Sequence, residues 1–333
     1  MKKSAIFTIV ACSLVVLILG GVLAIGLTSD GFGVINLLNW EHFGDEGDGK
    51  LHEYSETWDA EDVDGLNVGW INGDVNLVVG SGNQIVITER ANRELEENQK
   101  MRLSESGGTL KIKWNDEFIS LGIFHNLYKE LTVEVPKELA DRLEDLNCSN
   151  TSGTVSAKSF LCEEGEFSST SGSLELEDIQ AGTLEVSSTS GTVRLKRLTG
   201  EKLDVSGTSG QIEGDALNFG EAEFSSVSGG IDVAGSFENL SASTVSGSTR
   251  LESAVCPSEA DLNSVSGSLE LFIPKNDGFD AEYSSVSGSF SSDFPTSGDS
   301  GKSGRVLYES GKASFRFSTT SGSMFVGKIT ADS

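Results

Sequence analysis

The sequence predicts an all-β protein, a parallel β-solenoid with about 19 residues per coil, preceded by one N-terminal transmembrane helix. Three observations predict this architecture. A Thr/Val-Ser-Gly motif recurs at a nearly constant interval, apolar and polar residues alternate on both sides of it, and a long uncharged apolar run lies near the N-terminus. The 333 residues include 39 Gly and only 4 Pro, a composition that favours short strands and turns over helical bundles.

Residues 1–29 are predicted to form the membrane anchor. After Lys2 and Lys3, the run from Ala5 to Leu27 has no charged residue and is long enough to cross a hydrocarbon core of about 30 Å as a helix. A cleavable signal is the competing interpretation, although the apolar core of a signal peptide is usually shorter, about 7–15 residues. The basic start and the acidic flank after the run place the C-terminal bulk outside the membrane under the positive-inside rule.

Residues 30–57 are predicted to form a juxtamembrane stalk, and residues 58–145 an irregular β region that caps the solenoid. The second region contains short runs in which apolar residues alternate, as they do in half-buried strands. These runs are Leu66–Val68, Val75–Val79, Ile85–Ile87, Leu110–Ile112 and Leu131–Val135. The charged stretch from Glu89 to Arg102 fits either a short helix or a long loop.

Residues 146–333 are predicted to form the solenoid itself, because the Ser-Gly motif recurs there nine times. Successive motif glycines are 19, 19, 19, 19, 18, 20, 21 and 34 residues apart, a period that a flexible Gly/Ser linker would not keep. The widest interval contains a loop insertion at 291–304 between two regular coils. The motif glycines are Gly153, Gly172, Gly191, Gly210, Gly229, Gly247, Gly267, Gly288 and Gly322.

Each motif is predicted to form a corner where two short strands meet. Glycine suits a corner because it tolerates positive φ and lets successive backbones pass closely. The serine directly before each glycine, such as Ser190 before Gly191, is predicted to face inward, where its small hydroxyl can bond a backbone group. This serine is therefore interpreted as structural and not as a nucleophile.

The sequence resembles the bacterial "putative adhesin" family of unknown function, which is built from β-strand repeats and includes membrane-anchored LiaG-like proteins of Gram-positive envelopes. The resemblance covers about residues 58–328. It rests on Val68-x-x-x-x-Gly73-Asp74-Val75, on Leu131-Thr-Val-Glu-Val-Pro136, and on the Ser-Gly-x-apolar repeats that follow. It implies an envelope location, and for some members a link to envelope stress. The family supplies no catalytic residues that can be carried over.

Catalytic and metal-binding motifs are scarce in the repeats. The three histidines, His42, His52 and His125, all precede them, so the solenoid cannot assemble a Ser-His-Asp triad or a His-rich metal site. The cysteines after the apolar run form no C-x-x-C pair and have no His nearby in sequence. They are predicted to be buried free thiols, at Cys148, Cys162 and Cys256.

A glycan-acting β-helix enzyme, a polysaccharide lyase or hydrolase, is the enzymatic alternative. Its basic candidates are better explained as surface charge pairs, because Arg194 and Lys196 face acidic residues in both adjacent coils. The candidates are Arg194, Lys196, Lys202 and Arg250. A lectin-like surface is disfavoured because most aromatic residues of the repeats have inward parity, as in Phe167, Phe224, Tyr283 and Phe317.

A column of carboxylates is the candidate site closest to function. It lies six residues before the motif glycines, where six of seven consecutive coils carry an acidic residue and the remaining coil carries Ser241. Side chains that splay into solvent and screening by salt would explain such a column without any ligand. The sharper hypothesis is that it binds Ca²⁺ or Mg²⁺, or a cationic envelope component. The proposed ligands are Glu166, Glu185, Asp204, Glu223, Asp261 and Glu282.

The function predicted from the sequence is that of a non-enzymatic, membrane-anchored module outside the cytoplasm, acting as an adhesin, a scaffold or an envelope-stress accessory protein. The net charge of −27 disfavours nucleic acid and other polyanions as partners. The expected partners are therefore the membrane, through the N-terminal helix, and cationic envelope components or other envelope proteins.

Overall fold

A computed structural model describes residues 50–115 and 127–329 of the chain. The chain divides into two compact units, of which the first extends to Glu163 and includes Phe167–Gly172. The second unit contains Glu164–Glu166 and the chain from Ser173 onward. The predicted anchor at 1–29 lies outside the described residues. Within the described ranges, the chain contains no helix long and apolar enough to cross a membrane.

Among its described residues, the first unit contains ten strands and one short helix, and all five runs of alternating apolar residues lie in these strands. The stretch after Ala91 is a loop up to the next strand, which settles the choice left open for Glu89 to Arg102. The elements are β1 (His52–Asp59), β2 (Gly65–Asn72), β3 (Val75–Gly80), β4 (Gln84–Ala91), β5 (Arg102–Ser106), β6 (Thr109–Lys113), β7 (Lys129–Pro136), α1 (Lys137–Ala140), β8 (Leu143–Ser152), β9 (Val155–Lys158) and β10 (Leu161–Ser171), of which Glu164–Glu166 in β10 count with the second unit.

Two ladders of strands run through the first unit. One has the order β5-β6-β2-β8, with β2 parallel to both β6 and β8. The other has the order β1-β4-β7-β3-β9, in which β4 is antiparallel to both of its neighbours. Antiparallel strands thus follow the parallel ones at the outer end of each ladder, and they satisfy backbone groups that a bare parallel edge would leave open.

A buried ion pair lies in the core of the first unit. The Nζ of Lys129 is 2.7 Å from Oε1 of Glu89, and both side chains are fully buried. The ammonium also donates a hydrogen bond of 2.7 Å to the backbone oxygen of Gln99. It lies 4.2 Å from the ring centroid of Trp114 and 5.3 Å from that of Trp70. A desolvated cation is therefore held by a carboxylate, a carbonyl and two aromatic faces.

The second unit consists of the coils that the repeats predict. Along most of its strands, buried apolar side chains alternate with more exposed ones, as in Leu184 and Val186 around Glu185. Each fully buried Leu or Val contributes about 1.5–3 kcal/mol, so the repeated inward positions form a continuous stabilising core. The strands are β11 (Leu174–Glu177), β12 (Gln180–Ser190), β13 (Val193–Lys196), β14 (Thr199–Ser209), β15 (Ile212–Ser226), β16 (Ile231–Ser246), β17 (Thr249–Ser253), β18 (Glu259–Ser266), β19 (Leu269–Ile273), β20 (Gly278–Ser287), β21 (Phe290–Ser292), β22 (Ser297–Gly298), β23 (Ser303–Glu309), β24 (Ala313–Ser321) and β25 (Met324–Lys328).

Most coils of this unit stack in parallel with a register shift of one repeat. The first half of each coil forms one ladder, which begins β12-β14 and continues through β15 and β16 to β18. The second half forms another ladder, which begins β11-β13 and continues through β15 and β16 to β17 and β19. The predicted parallel stacking of these repeats is therefore confirmed.

The last coil departs from the predicted order. The sequence predicts that the coil after the insertion follows β20 and β21, but β24 and β25 lie between β18 and β19 on one side and β20 and β21 on the other. Residues 291–304 are not one loop, because they include β22 and the start of β23. β23 pairs antiparallel with β20 and covers its outer edge. With that edge occupied, β24 pairs with the other edge of β20, which faces β18.

A disulfide test distinguishes the two orders. Ser318 in β24 pairs in register with Asn263 on one side and Ser284 on the other. We expect Asn263→Cys with Ser318→Cys to crosslink on oxidation in a Cys256→Ser background, because neighbouring strands lie about 4.8 Å apart and disulfides span Cα distances of about 4.4–6.8 Å. Peptide mapping would identify the bridge.

The matched control is Asn263→Cys with Ser284→Cys. These positions would be neighbours if the coils stacked in chain order, but they are two strands apart, about 9.6 Å, in the structure. A bridge in the control and none in the test pair would contradict the inserted coil.

The motif glycines stack on one another, as predicted for a corner. Gly210 has φ of +131°, and a Cβ at this position would lie 2.2 Å from the carbonyl oxygen of Gly191. Only glycine allows this approach without a shift of the backbone. The same contact joins Gly322 to Gly267 at 2.0 Å and Gly288 to Gly322 at 1.9 Å, so the glycine column follows the stacking order and not the chain order.

The inward position assigned to the motif serine is wrong. Ser190 and Ser209 are exposed, because the strand turns at the corner before the glycine. The buried hydroxyls come two residues earlier, as in Ser188. In two adjacent coils they bond each other, with 3.1 Å between Oγ1 of Thr244 and Oγ of Ser264. The structural role predicted for a serine therefore belongs to this earlier position.

Candidate functional site

The centre of the acidic column has the geometry that the repeat predicts. Glu185 in β12 pairs in register with Asp204 in β14, and Asp204 pairs with Glu223 in β15. Parallel neighbours place equivalent residues about 4.8 Å apart. Glu185 and Glu223 are exposed and Asp204 is partly buried. Glu166, in β10, is also exposed.

Asp204 is the carboxylate that this arrangement perturbs most. Partial burial and the neighbouring charges of Glu223 and Glu185 raise its pKa to about 6, while Lys202 acts in the opposite direction. Lys202 itself forms an ion pair with Glu221, at 3.2 Å. Burial and the two charged neighbours together make the ionised form of this middle carboxylate less favourable.

The other half of the column is not a row of carboxylates. Glu223 pairs in register with Ser241, which pairs with Asp261. The inserted coil then places Arg316 between Asp261 and Glu282. The guanidinium of Arg316 is 3.1 Å from the Asp261 carboxylate. The prediction of adjacent like charges at Asp261 and Glu282 is therefore wrong, and the inserted coil supplies a cation there.

Binding of Ca²⁺ or Mg²⁺ to the column stays a prediction. Within the described ranges, no three His, Cys, Asp or Glu side chains converge closely enough to hold a metal ion. If the cations bind between coils, the melting temperature of the full-length chain should rise more with millimolar Ca²⁺ than with NaCl of equal ionic strength. Glu185→Gln with Asp204→Asn should abolish the difference. Equal effects of the two salts would contradict the cation hypothesis.

The perturbed carboxyl makes stability depend on pH in a defined direction. The folded state raises the pKa of Asp204 from its ordinary value near 4 to about 6, so it binds this proton more tightly than the unfolded chain does. The stabilisation is complete below about pH 4 and is lost as the pH rises to about 6. We expect Asp204→Asn to raise stability by about 1 kcal/mol at pH 7.5, allowing for solvent screening.

Thermal unfolding between pH 4 and pH 7.5 measures this effect. The stability of Asp204→Asn relative to the unmodified chain should increase across that interval. Glu238→Gln, which removes an exposed carboxylate outside the column, serves as the control and should show no such trend. A pH-independent difference for Asp204→Asn would contradict the assignment.

The basic residues of the enzymatic alternative are mostly held in surface ion pairs, as predicted. Arg194 lies 3.4 Å from Glu175 and 3.2 Å from Glu213 in the adjacent coils. Lys202 pairs with Glu221, and Lys196 lies in register between two acidic residues. Cys148, Cys162 and Cys256 are free, as predicted, but only the first two are buried and Cys256 is partly exposed. Burial raises the pKa of Cys148 and Cys162 to about 12, so neither is an activated thiol.

Two aromatic residues on the outward face of the coils were not predicted from the sequence. Phe272 and Phe325 are partly exposed, whereas the four repeat aromatics predicted to face inward are buried. The sequence does contain a signal for an outward Phe272. Neighbouring residues of a strand face opposite sides, so Phe272 must face outward if Leu271 and Ile273 face inward. In Leu271-Phe272-Ile273 the outer residues are buried and Phe272 is not.

Comparison with models of known families identifies the family of this chain. The family model described as Toastrack DUF4097 matches residues 66–326. The chain belongs to the Toastrack DUF4097 family. The resemblance to a "putative adhesin" family of unknown function is thereby confirmed.

Solved structures share the fold of this chain at low sequence identity. A "putative adhesin" from Parabacteroides distasonis is 13% identical, with a TM-score of 0.52, and the match covers 85% of this chain and 98% of that one. A "putative adhesin" from Parabacteroides merdae is 15% identical, with a TM-score of 0.50 and the same coverage. No curated protein matches the chain. At this identity the comparison shows the fold alone.

Proposed function

We propose that this Toastrack protein is a non-enzymatic, membrane-anchored module on the outer side of the membrane, and that its acidic column binds cationic components of the envelope. The main support for cation binding is that Glu185, Asp204 and Glu223 lie in register on three consecutive coils. Burial and repulsion by its neighbours raise the pKa of Asp204, and a cationic partner would relieve the repulsion. The apolar run from Ala5 to Leu27, after Lys2 and Lys3, supports the anchor and its orientation.

The column suits an extended polycation better than a compact ligand. The carboxylates of Glu185, Asp204 and Glu223 repeat about every 4.8 Å along the ladder, so several positive groups on one chain can each meet one carboxylate. Exposed pairs are individually weak, at about 0–1 kcal/mol, and binding therefore depends on their number. We infer an adhesin-like or scaffolding role in which many weak contacts act together.

Binding of a lysine decapeptide to the purified full-length chain tests this proposal. At pH 7.5 and low salt, Glu185→Gln with Asp204→Asn should weaken binding at least fivefold. The matched control, Glu201→Gln with Glu238→Gln, removes the same charge from exposed positions outside the column and should change binding less than twofold. An equal loss of peptide binding in both double variants would show that only the overall negative charge matters, and it would overturn the proposal.

Two further measurements address the anchor and the absence of catalysis. Protease added to intact protoplasts should digest residues beyond the predicted anchor, and full protection would reverse the proposed orientation.

Incubation with anionic polysaccharides should release no product. Sustained turnover would favour the lyase or hydrolase alternative.

A further inference from the structure

The outward face of the ladder that contains β17, β19 and β25 changes from charged to aromatic along its length. One row on this face runs Asp232, Arg250, Glu270 and Phe325 in adjacent strands. The row beside it places Phe272 next to Glu252 on one side and Gly327 on the other. Because β25 belongs to the inserted coil, the two phenylalanines become neighbours only through that insertion.

The two rings and one guanidinium form a compact patch. The ring centroids of Phe272 and Phe325 are 5.7 Å apart with an interplanar angle of 71°, an edge-to-face contact. The guanidinium carbon of Arg250 lies 4.0 Å from the centroid of Phe272. A Cβ on Gly327 would lie 2.5 Å from Phe272 and 2.7 Å from Phe325, so both rings lean over that glycine. These contacts fix the rings at the surface before any ligand arrives.

Polar groups with unused hydrogen-bonding capacity surround the rings. Arg250 donates a long hydrogen bond of 3.4 Å to Glu252 and lies 3.8 Å from Glu270 and 3.9 Å from Asp232. Charge-assisted hydrogen bonds are shorter, about 2.7–2.9 Å, so these carboxylates neutralise the guanidinium without saturating its donors. The patch therefore offers N–H donors and carboxylate acceptors beside an apolar surface.

We propose that this patch binds a neutral glycan. A pyranose ring has an apolar face of C–H groups that fits an aromatic side chain, and its hydroxyls both accept from the guanidinium and donate to the carboxylates. The three carboxylates oppose an anionic sugar. Arg250 already occupies the position over Phe272 that a cationic ligand would take. The site lies on a different ladder from the acidic column, so it is independent of the proposed polycation binding.

Saturation-transfer NMR and calorimetry with cellotetraose and chitotetraose test this site on the full-length chain. We expect saturation of the sugar ring protons, and at least tenfold weaker binding in Phe325→Ala and in Arg250→Gln. Arg250→Gln leaves both rings in place and so remains informative if a phenylalanine variant is unstable. Tetragalacturonate should bind at least tenfold more weakly than cellotetraose.

The matched control is Arg194→Gln. Arg194 occupies the same row and lies between Glu175 and Glu213, but no aromatic side chain is paired with it in that row. This variant should bind cellotetraose as the unmodified chain does. No saturation by either neutral sugar, or equal loss of binding in both arginine variants, would overturn the proposal. If neither neutral sugar shows saturation, the two rings would have only a packing role over Gly327.

Discussion

Replacing Glu89 by alanine is expected to cost the first unit about 3–5 kcal/mol of stability, because it breaks a buried ion pair. The change leaves the ammonium of Lys129 buried without its carboxylate, which lies 2.7 Å away. It also removes the acceptor of a 2.9 Å hydrogen bond from the Met101 backbone N–H. Trp70 and Trp114 lie beside the ammonium, so tryptophan fluorescence during urea unfolding reports on this core.

Two further variants separate the loss of an ion pair from the loss of packing. Glu89→Leu with Lys129→Met removes both charges and should recover at least half of the lost stability, because a well-packed apolar pair replaces an uncompensated charge. Glu53→Ala breaks the exposed 2.9 Å pair with Arg90 and should cost at most about 1 kcal/mol. A small effect of Glu89→Ala, equal to that of Glu53→Ala, would show that water reaches Lys129.

Gly210→Val is expected to destabilise the second unit by about 2–4 kcal/mol. Valine is strained at φ of +131°, and its Cβ would lie 2.2 Å from the Gly191 carbonyl oxygen, an atom of the backbone that cannot rotate away. Adjacent coils must therefore separate or the corner must change shape. Far-UV circular dichroism during thermal unfolding measures the loss of strand structure.

Gly230→Ala is the matched control for this corner. Gly230 follows the motif Gly229, and a Cβ there would meet its nearest atom at 3.6 Å, an ordinary contact. We expect a change within about 0.5 kcal/mol. Equal melting of Gly210→Val and Gly230→Ala would show that the stacked corner tolerates a side chain, contrary to the geometry of the glycine column.

Local pattern determined most of the coil architecture. The 19-residue spacing of Gly172, Gly191 and Gly210 forces equivalent residues into register, because parallel strands that pair with a shift of one repeat keep every side chain on its own face. The alternation around Glu185 therefore predicted both the buried core and the row of Glu185, Asp204 and Glu223. The motif serine was misplaced because a strand's alternation fails where the chain turns, one residue before the glycine.

Tertiary structure decided the contacts that the period does not encode. Arg316 lies between Asp261 and Glu282, and Phe325 beside Phe272, only because β24 and β25 are inserted between earlier coils. The ion pair of Lys129 with Glu89 also depends on tertiary structure, because it joins antiparallel strands outside the repeats. A repeat specifies which face each residue occupies, whereas the neighbour of the last coil depends on which sheet edge the antiparallel β23 has already covered.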